Sequence, residues 1–275
     1  LDRPHAIEIG FLAVATLYSL TLPLKRTLSL FDAVVLVTIF ALYAARISRA
    51  PATEPRLVGP AQLIARLPQT ARRVTVVAML VGAAGVIVAC AAPFADALVR
   101  TGEQFGISTF LLVQWVAPLA SEAPELLVAG LFAWRLNTGA ALGTLVSSKV
   151  NQWTLLVGTL PVVFAISAGA LQGLPLDTLQ REELFLTAAQ SVFAVAVLSS
   201  RSLSVKEGLA LLGLFLSQFV LSGVLPGDLR ELERLGVGAL YLVCSVPVLW
   251  KQRAHLRGLA RDAFVTPVGE LTHEA

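Results

Sequence analysis

Charge is scarce in this chain. Only 14% of its 275 residues are Asp, Glu, Lys or Arg, and 56% are hydrophobic, whereas a soluble domain carries about a quarter charged residues. That balance excludes an ordinary water-surrounded globule and points to a membrane protein. Cysteine is nearly absent. Cys90 and Cys244 both fall inside apolar runs, where small buried hydrophobes are expected rather than a disulfide or metal site. Histidine is rare too: His5, His255 and His273 lie outside the apolar spans and form no ligand cluster. Without a converging His/Asp/Ser or metal-ligand set, an intramembrane enzyme is not expected, and no cofactor is implied. The lack of a nucleotide-binding loop argues against an ATP-driven pump. A net charge of +3 needs no nucleic-acid partner, since basic loops are ordinary in inner-membrane proteins. The chain opens on Leu1 with no signal-peptide pattern, and a truncated or processed start is expected.

What the chain does have is long apolar runs. Stretches of about 17 residues or more can cross roughly 30 Å of hydrocarbon. They occur at 6–23, 28–46, 74–98, 105–134, 139–171, 184–200, 205–224 and 235–250. The expectation is an all-α protein of about eight transmembrane helices in the lipid bilayer. Orientation follows the Lys/Arg bias. The loop 46–73 carries Arg46, Arg49, Arg56, Arg66, Arg72 and Arg73 against one acid, Glu54. Placing that loop in the cytoplasm puts Arg3, Arg135, Arg201, Lys206 and the basic stretch Lys251 to Arg261 on the same side. The opposite side keeps fewer bases and more acids, with Lys25 and Arg26 as a local dissent. The reading is an inner-membrane, multi-pass protein with a cytoplasmic tail, residues 262–275 being mobile.

Two segments resemble each other: "RTLSLFDA" (Arg26–Ala33) and "RSLSVKEG" (Arg201–Gly208). The helices that precede them are the first and sixth spans, five places apart, so the copies face opposite ways, as in transporters built from inverted repeats. Chance similarity between leucine-rich helices is the alternative. If the repeat is real, the counterpart of "PLASEAPELLVAG" (Pro118–Gly130) lies before residue 1.

That segment holds Glu122 and Glu125, three residues apart and hence on one helix face. A charge at mid-membrane costs about 2.5–3.5 kcal/mol on insertion scales and usually faces a cavity or a partner. Pro124 between them removes a backbone hydrogen bond and bends the helix. The freed carbonyls beside a carboxylate suit a hard cation. A mere packing kink is the plain alternative. The next span, "TGAALGTLVSSKVNQWTLLVG", places Ser147, Ser148, Lys149, Asn151 and Gln152 in its middle. Small residues that only let helices approach would explain Ser147 and Ser148, but not Lys149.

At these residues the chain resembles the cation/calcium exchanger superfamily. "ASEAPE" is similar to the family's Gly-Thr-Ser-x-Pro-Glu, with Pro124 and Glu125 matching and Ser121 in the Thr place. "GTLVSSKVNQ" is similar to its second motif, with Gly143 and Ser148 matching and Gln152 in the last polar place. The lead-in "GEQFGISTFLLVQWVAPLA" and the hairpin "RSLSVKEGLALLGLFLSQFVL" also resemble the family, so the likeness covers roughly residues 6–223. It departs at two places: the family's Ser is Glu122 here, and its Asn is Lys149.

The resemblance implies two inverted five-helix repeats, of which this chain holds the C-terminal part. Residues 1–47 would be the last two helices of the first repeat and 48–73 a cytoplasmic basic loop. Residues 74–224 would be the second repeat, and 225–275 an extra helix with a basic tail. It also implies a secondary antiporter exchanging calcium or another metal cation for sodium or protons. Glu125 is the expected central ligand, with Ser121, Glu122, Ser148 and Gln152 beside it and Ser147 and Asn151 along the pathway. Lys149 is expected to pair with Glu122 or Glu125 and stand in for one bound cation. A missing N-terminal repeat, or a partner chain supplying it, completes the expectation. The alternative is a channel-like or accessory membrane protein that has lost exchange.

Overall fold

The structure, a computed structural model, describes residues 1–49, 60–106, 112, 121–226 and 229–272. Among the described residues it is helical apart from turns and one two-residue ladder. The helices are α1 (Ala6–Ser19), α2 (Leu30–Ile47), α3 (Pro60–Ala65), α4 (Gln69–Phe105), α5 (Ala123–Trp134) and α6 (Thr138–Asn151). They continue as α7 (Val157–Ala168), α8 (Thr178–Leu198), α9 (Val205–Val224), α10 (Arg230–Phe264) and α11 (Val268–Thr272). A π turn, Gln152–Leu156, joins α6 to α7. Strands β1 (Thr27–Leu28) and β2 (Leu174–Pro175) pair antiparallel, Thr27 opposite Pro175 and Leu28 opposite Leu174.

Six helical stretches among the described residues are long and apolar enough to cross a membrane: 3–24, 30–47, 69–105, 138–168, 205–224 and 230–264. Two of the eight expected spans are not in that set. Residues 107–111 and 113–120 of the expected span 105–134 lie outside the described residues, and its described end forms α5, a 12-residue apolar helix. The expected span 184–200 belongs to α8, 21 residues long, whose first turns carry Arg181, Glu182 and Glu183.

The chain divides into two compact units, Ala52–Leu127 and the remainder. Within the first, α4 starts behind Pro68 and ends at Gly106, whose φ of +64° is the left-handed conformation that glycine adopts without a Cβ clash. Along its length α4 exposes Val76, Met79, Leu80, Val86 and Val88, as a lipid-facing helix does.

In the larger unit α1 is central and packs against α2, α6, α8 and α10. Its buried face, Ile7, Ile9, Phe11, Leu12 and Ala15, meets Val146, Val150, Trp153 and Ala188. Helix starts are set by side chains that satisfy otherwise unpaired N–H groups: Ser29 with Asp32, Asp177 with Gln180 and Ser204 with Glu207 form reciprocal capping boxes. Polar side chains of this unit gather in two groups.

At one end Asp262 is held by Arg3 at 3.1 Å and Arg201 at 3.3 Å. Arg46 donates to the carbonyls of Asp262 at 3.2 Å, Ala263 at 2.5 Å and Thr266 at 2.5 Å, and so caps the C-terminal end of α10. The expectation of a mobile tail is therefore corrected for residues 262–272. Ala263, Val268 and Leu271 are buried, and Gly10 leaves the space that Ala263 and Phe264 occupy. At the other end Lys25 pairs with Asp32, and Arg181 donates to the carbonyl of Pro23 at 2.8 Å. The dissenting Lys25 is thus held by its own acid.

Candidate ion-binding site

The proline–glutamate segment is a helix start. Residue 122 is a bend and α5 begins at Ala123. Pro124 therefore sits in the first turn, where a missing N–H costs nothing because that donor has no intrahelical acceptor. The carbonyl of Glu122 accepts from the N–H of Leu126 at 3.0 Å. Glu125 lies in the same first turn, where the partial positive charge of the helix N-terminus favours a carboxylate. Its Oε2 is buried without a hydrogen-bond partner among the described residues. A buried carboxylate oxygen without a donor is costly, and a bound cation or a proton would relieve it. Glu122 is half-buried and Ser121 exposed.

The second polar segment is built by α6 and its π turn. Asn137 caps α6, its side-chain oxygen accepting from the N–H of Ala140 at 3.2 Å. Ten residues on, Ser147 Oγ lies 2.9 Å from the Tyr43 hydroxyl of α2. Ser148, Lys149 and Gln152 are half-buried and Asn151 is exposed. Lys149 Nζ stands 6.0 Å from the centre of the Trp153 ring, at the limit of a cation–π contact. Trp153 is itself fixed, its Nε1 donating to Ser191 Oγ at 2.8 Å. The helix widens into the π turn directly after Lys149 and Asn151, and single π turns inside helices are frequent at functional sites.

A cavity of about 330 Å³ opens beside this segment, with Lys149, Gln190, Ser191 and Tyr241 as its polar lining. Gln190 donates to the amide oxygen of Gln218 across α8 and α9. The structure thus brings Ser147, Lys149 and the π turn to one buried region of the larger unit. Ser121, Glu122, Pro124 and Glu125 belong to the Ala52–Leu127 unit, and each set is described within its own unit.

Several polar residues near this region were not candidates from the sequence: Glu8, Tyr43, Gln190 and Gln218, while His5 counted only as a histidine outside the apolar spans. A signal for some of them was present. Glu8, Gln190 and Gln218 are charged or amide side chains inside apolar runs, the same feature that singled out Glu122.

The model of the family described as sodium/calcium exchanger protein matches residues 75–224. Among solved structures, the chain is similar to one described as the crystal structure of the H+/Ca2+ exchanger CAX, at 42% identity and a TM-score of 0.86. The match covers 96% of this chain and 66% of that one, so the chain spans just under two thirds of that relative's length. Among curated proteins none matches. With the family model matched over more than half of its length, this multi-pass membrane chain belongs to the sodium/calcium exchanger protein family.

Proposed function

We propose that the chain is the C-terminal part of a secondary active antiporter, a transporter and not an enzyme. It exchanges calcium or another metal cation for protons or sodium. The observation that carries this reading is Glu125: a carboxylate in the first turn of an interrupted helix, with Oε2 buried and undonated among the described residues. Such an oxygen is suited to a hard cation. Ser121, Ser148 and Gln152 supply further oxygens, and Ser147 and Asn151 line the approach. Lys149 pairs with Glu122 or Glu125 and replaces one bound cation, because a neutral pair is less disruptive than either change alone.

In this reading residues 1–47 close the first repeat, 48–73 connect, and 74–224 form the inverted second repeat. The two repeats rock about a midplane site, exposing it to each side in turn. The end that gathers Arg3, Arg46 and Arg201 faces the cytoplasm of an inner membrane. In this reading a counterpart of the Pro124–Glu125 segment, from the same polypeptide or a partner chain, completes the site.

The test is calcium uptake by the complete protein in liposomes under an imposed proton or sodium gradient. Saturable uptake that requires the gradient, and is lost in Glu125→Gln, is the expected result. Flux that neither saturates nor needs a counter-ion would replace this reading with a channel.

A further inference from the structure

Glu233 is a buried carboxylate outside the ion-site motifs. It sits in the first turn of α10 and is only 7% exposed. Its Oε1 is buried with no hydrogen-bond partner among the described residues. The adjacent Arg234 is taken by Glu182 at 2.7 Å and Glu183 at 3.8 Å. Arg230, one helical turn before Glu233, is its other cationic neighbour, and Arg230 Nε reaches the Leu225 carbonyl at 3.4 Å. Glu231 is exposed, and residues two apart on a helix do not share a face. A buried carboxylate oxygen that lacks a donor is costly until one arrives.

Glu233 lines a pocket of about 280 Å³ whose other walls include Leu221, Leu225, Leu229, Leu232 and Val237. Among the described residues it is the one ionisable group in that lining. The pocket lies where two spans end together. Helix α9 stops at Val224, residues 225–229 turn the chain, and the apolar run of α10 starts at residue 235. This is the level at which hydrocarbon gives way to lipid headgroups. Leu221, Val224, Leu229 and Leu232 are exposed around it, as side chains against lipid are.

The helix ends sort charge at this level. The C-terminal end of α9 carries partial negative charge and favours a cation. The N-terminal end of α10 carries partial positive charge and, with Arg230, favours an anion. An occupant must therefore donate a hydrogen bond to Glu233, carry an anion near Arg230 and belong at the membrane boundary. A phospholipid with a primary ammonium in its headgroup meets all three conditions. Such an ammonium donates N–H bonds as the lysine ammonium does, whereas the trimethylated ammonium of choline has no N–H. A serine headgroup would bring a second carboxylate against Glu233, and like charges repel at close range.

We propose that the pocket between α9 and α10 holds the headgroup of phosphatidylethanolamine, its ammonium on Glu233 and its phosphate on Arg230. The acyl chains lie against the exposed leucines of the two helices. Burial in the apolar pocket strengthens the ammonium–carboxylate bond by excluding water. The remaining N–H groups of the Arg230 guanidinium serve the phosphate. None of the residues proposed for the ion site lines this pocket. The lipid site depends on the membrane setting and not on transport, so it goes beyond the antiporter reading.

The experiment uses the complete protein in detergent, equilibrated with equimolar dioleoyl phosphatidylethanolamine and dioleoyl phosphatidylcholine. Native mass spectrometry reads which lipid each chain retains. The wild type should prefer phosphatidylethanolamine by about tenfold, the order of a charge-assisted hydrogen bond. Glu233→Gln keeps the shape without the charge and should lose most of that preference. Arg230→Gln should weaken retention of both lipids alike, because both carry the phosphate. Gly236 also lines the pocket, and a Cβ there would meet nothing within 4 Å. Gly236→Leu therefore fills the pocket without a clash and should displace the lipid from a folded protein. Equal retention of the two lipids by the wild type overturns the proposal. So does an undiminished preference in Glu233→Gln or Gly236→Leu. Should Glu233→Gln fail to fold, N-methylated and N,N-dimethylated phosphatidylethanolamine on the wild type replace it. Retention should then fall with each N–H removed, and indifference to methylation overturns the ammonium–carboxylate contact.

Discussion

Arg3 and Asp262, 259 residues apart in sequence, meet at 3.1 Å. With Arg201 on the same carboxylate and Arg46 on the carbonyls that end α10, this contact ties the far end of the chain to the starts of α1 and α9. It turns an expected loose tail into a folded cap over one end of the larger unit.

Asp262→Asn should therefore loosen residues 262–272 without unfolding the spans. The arginines are about one-third exposed, so water screens the attraction and the loss should be about 1 kcal/mol. Limited proteolysis should cut the variant's tail faster, and the melting temperature in detergent should fall by about 2–4 °C. Equal cleavage rates would contradict the clasp.

A larger effect is expected at the opposite end. Arg234 lies 2.7 Å from Glu182 and 3.8 Å from Glu183, with both members of the closer pair about nine-tenths buried. Removing one member strands a buried charge, so Arg234→Ala should cost about 3–5 kcal/mol. A joint Glu182→Leu and Arg234→Leu change should recover much of that loss. Thermal melts of both variants measure it.

Gly143→Ala should collide with His5, whose imidazole occupies the space that a Cβ at Gly143 would need. An added methyl group in a filled site typically costs about 1–3 kcal/mol. His5→Ala should be mild alone and should suppress the Gly143→Ala defect. A double-mutant cycle reads this coupling, and purely additive losses would show that the imidazole does not fill that space.

At the proposed ion site, Glu125→Gln should reduce gradient-driven calcium uptake at least about tenfold, as loss of a central charged ligand would, while the protein still folds. Lys149→Asn should change the ion selectivity or pH dependence of transport, because it removes the internal cation. Transport by Lys149→Asn indistinguishable from wild type would sink the substitution of lysine for a bound ion.

Much of this was legible in the chain itself. Length and hydropathy marked 28–46, 139–171 and 205–224 as spanning stretches, since a helix must bring about 20 apolar residues into lipid, and helical stretches at 30–47, 138–168 and 205–224 answer them. The motif residues Pro124, Glu125, Gly143 and Ser148 pointed to the family through local order and spacing. The extent of α10 was less legible. Its apolar core reads as 235–250, but the helix runs from Arg230 to Phe264 because its polar extensions find partners. Glu182 takes Arg234, and Arg3 takes Asp262. Hydropathy cannot register such partners.

The sequence by itself determined the membrane class, six of the eight expected spans and the family, because these depend on composition and on motifs within single segments. Only the tertiary structure decided which faces meet: His5 against Gly143, Tyr43 against Ser147, Trp153 against Ser191. Periodicity along an apolar helix is weak when both lipid and protein accept leucine. Which side of α1 turns toward α6 is therefore settled by packing and hydrogen-bond satisfaction between segments far apart in the chain.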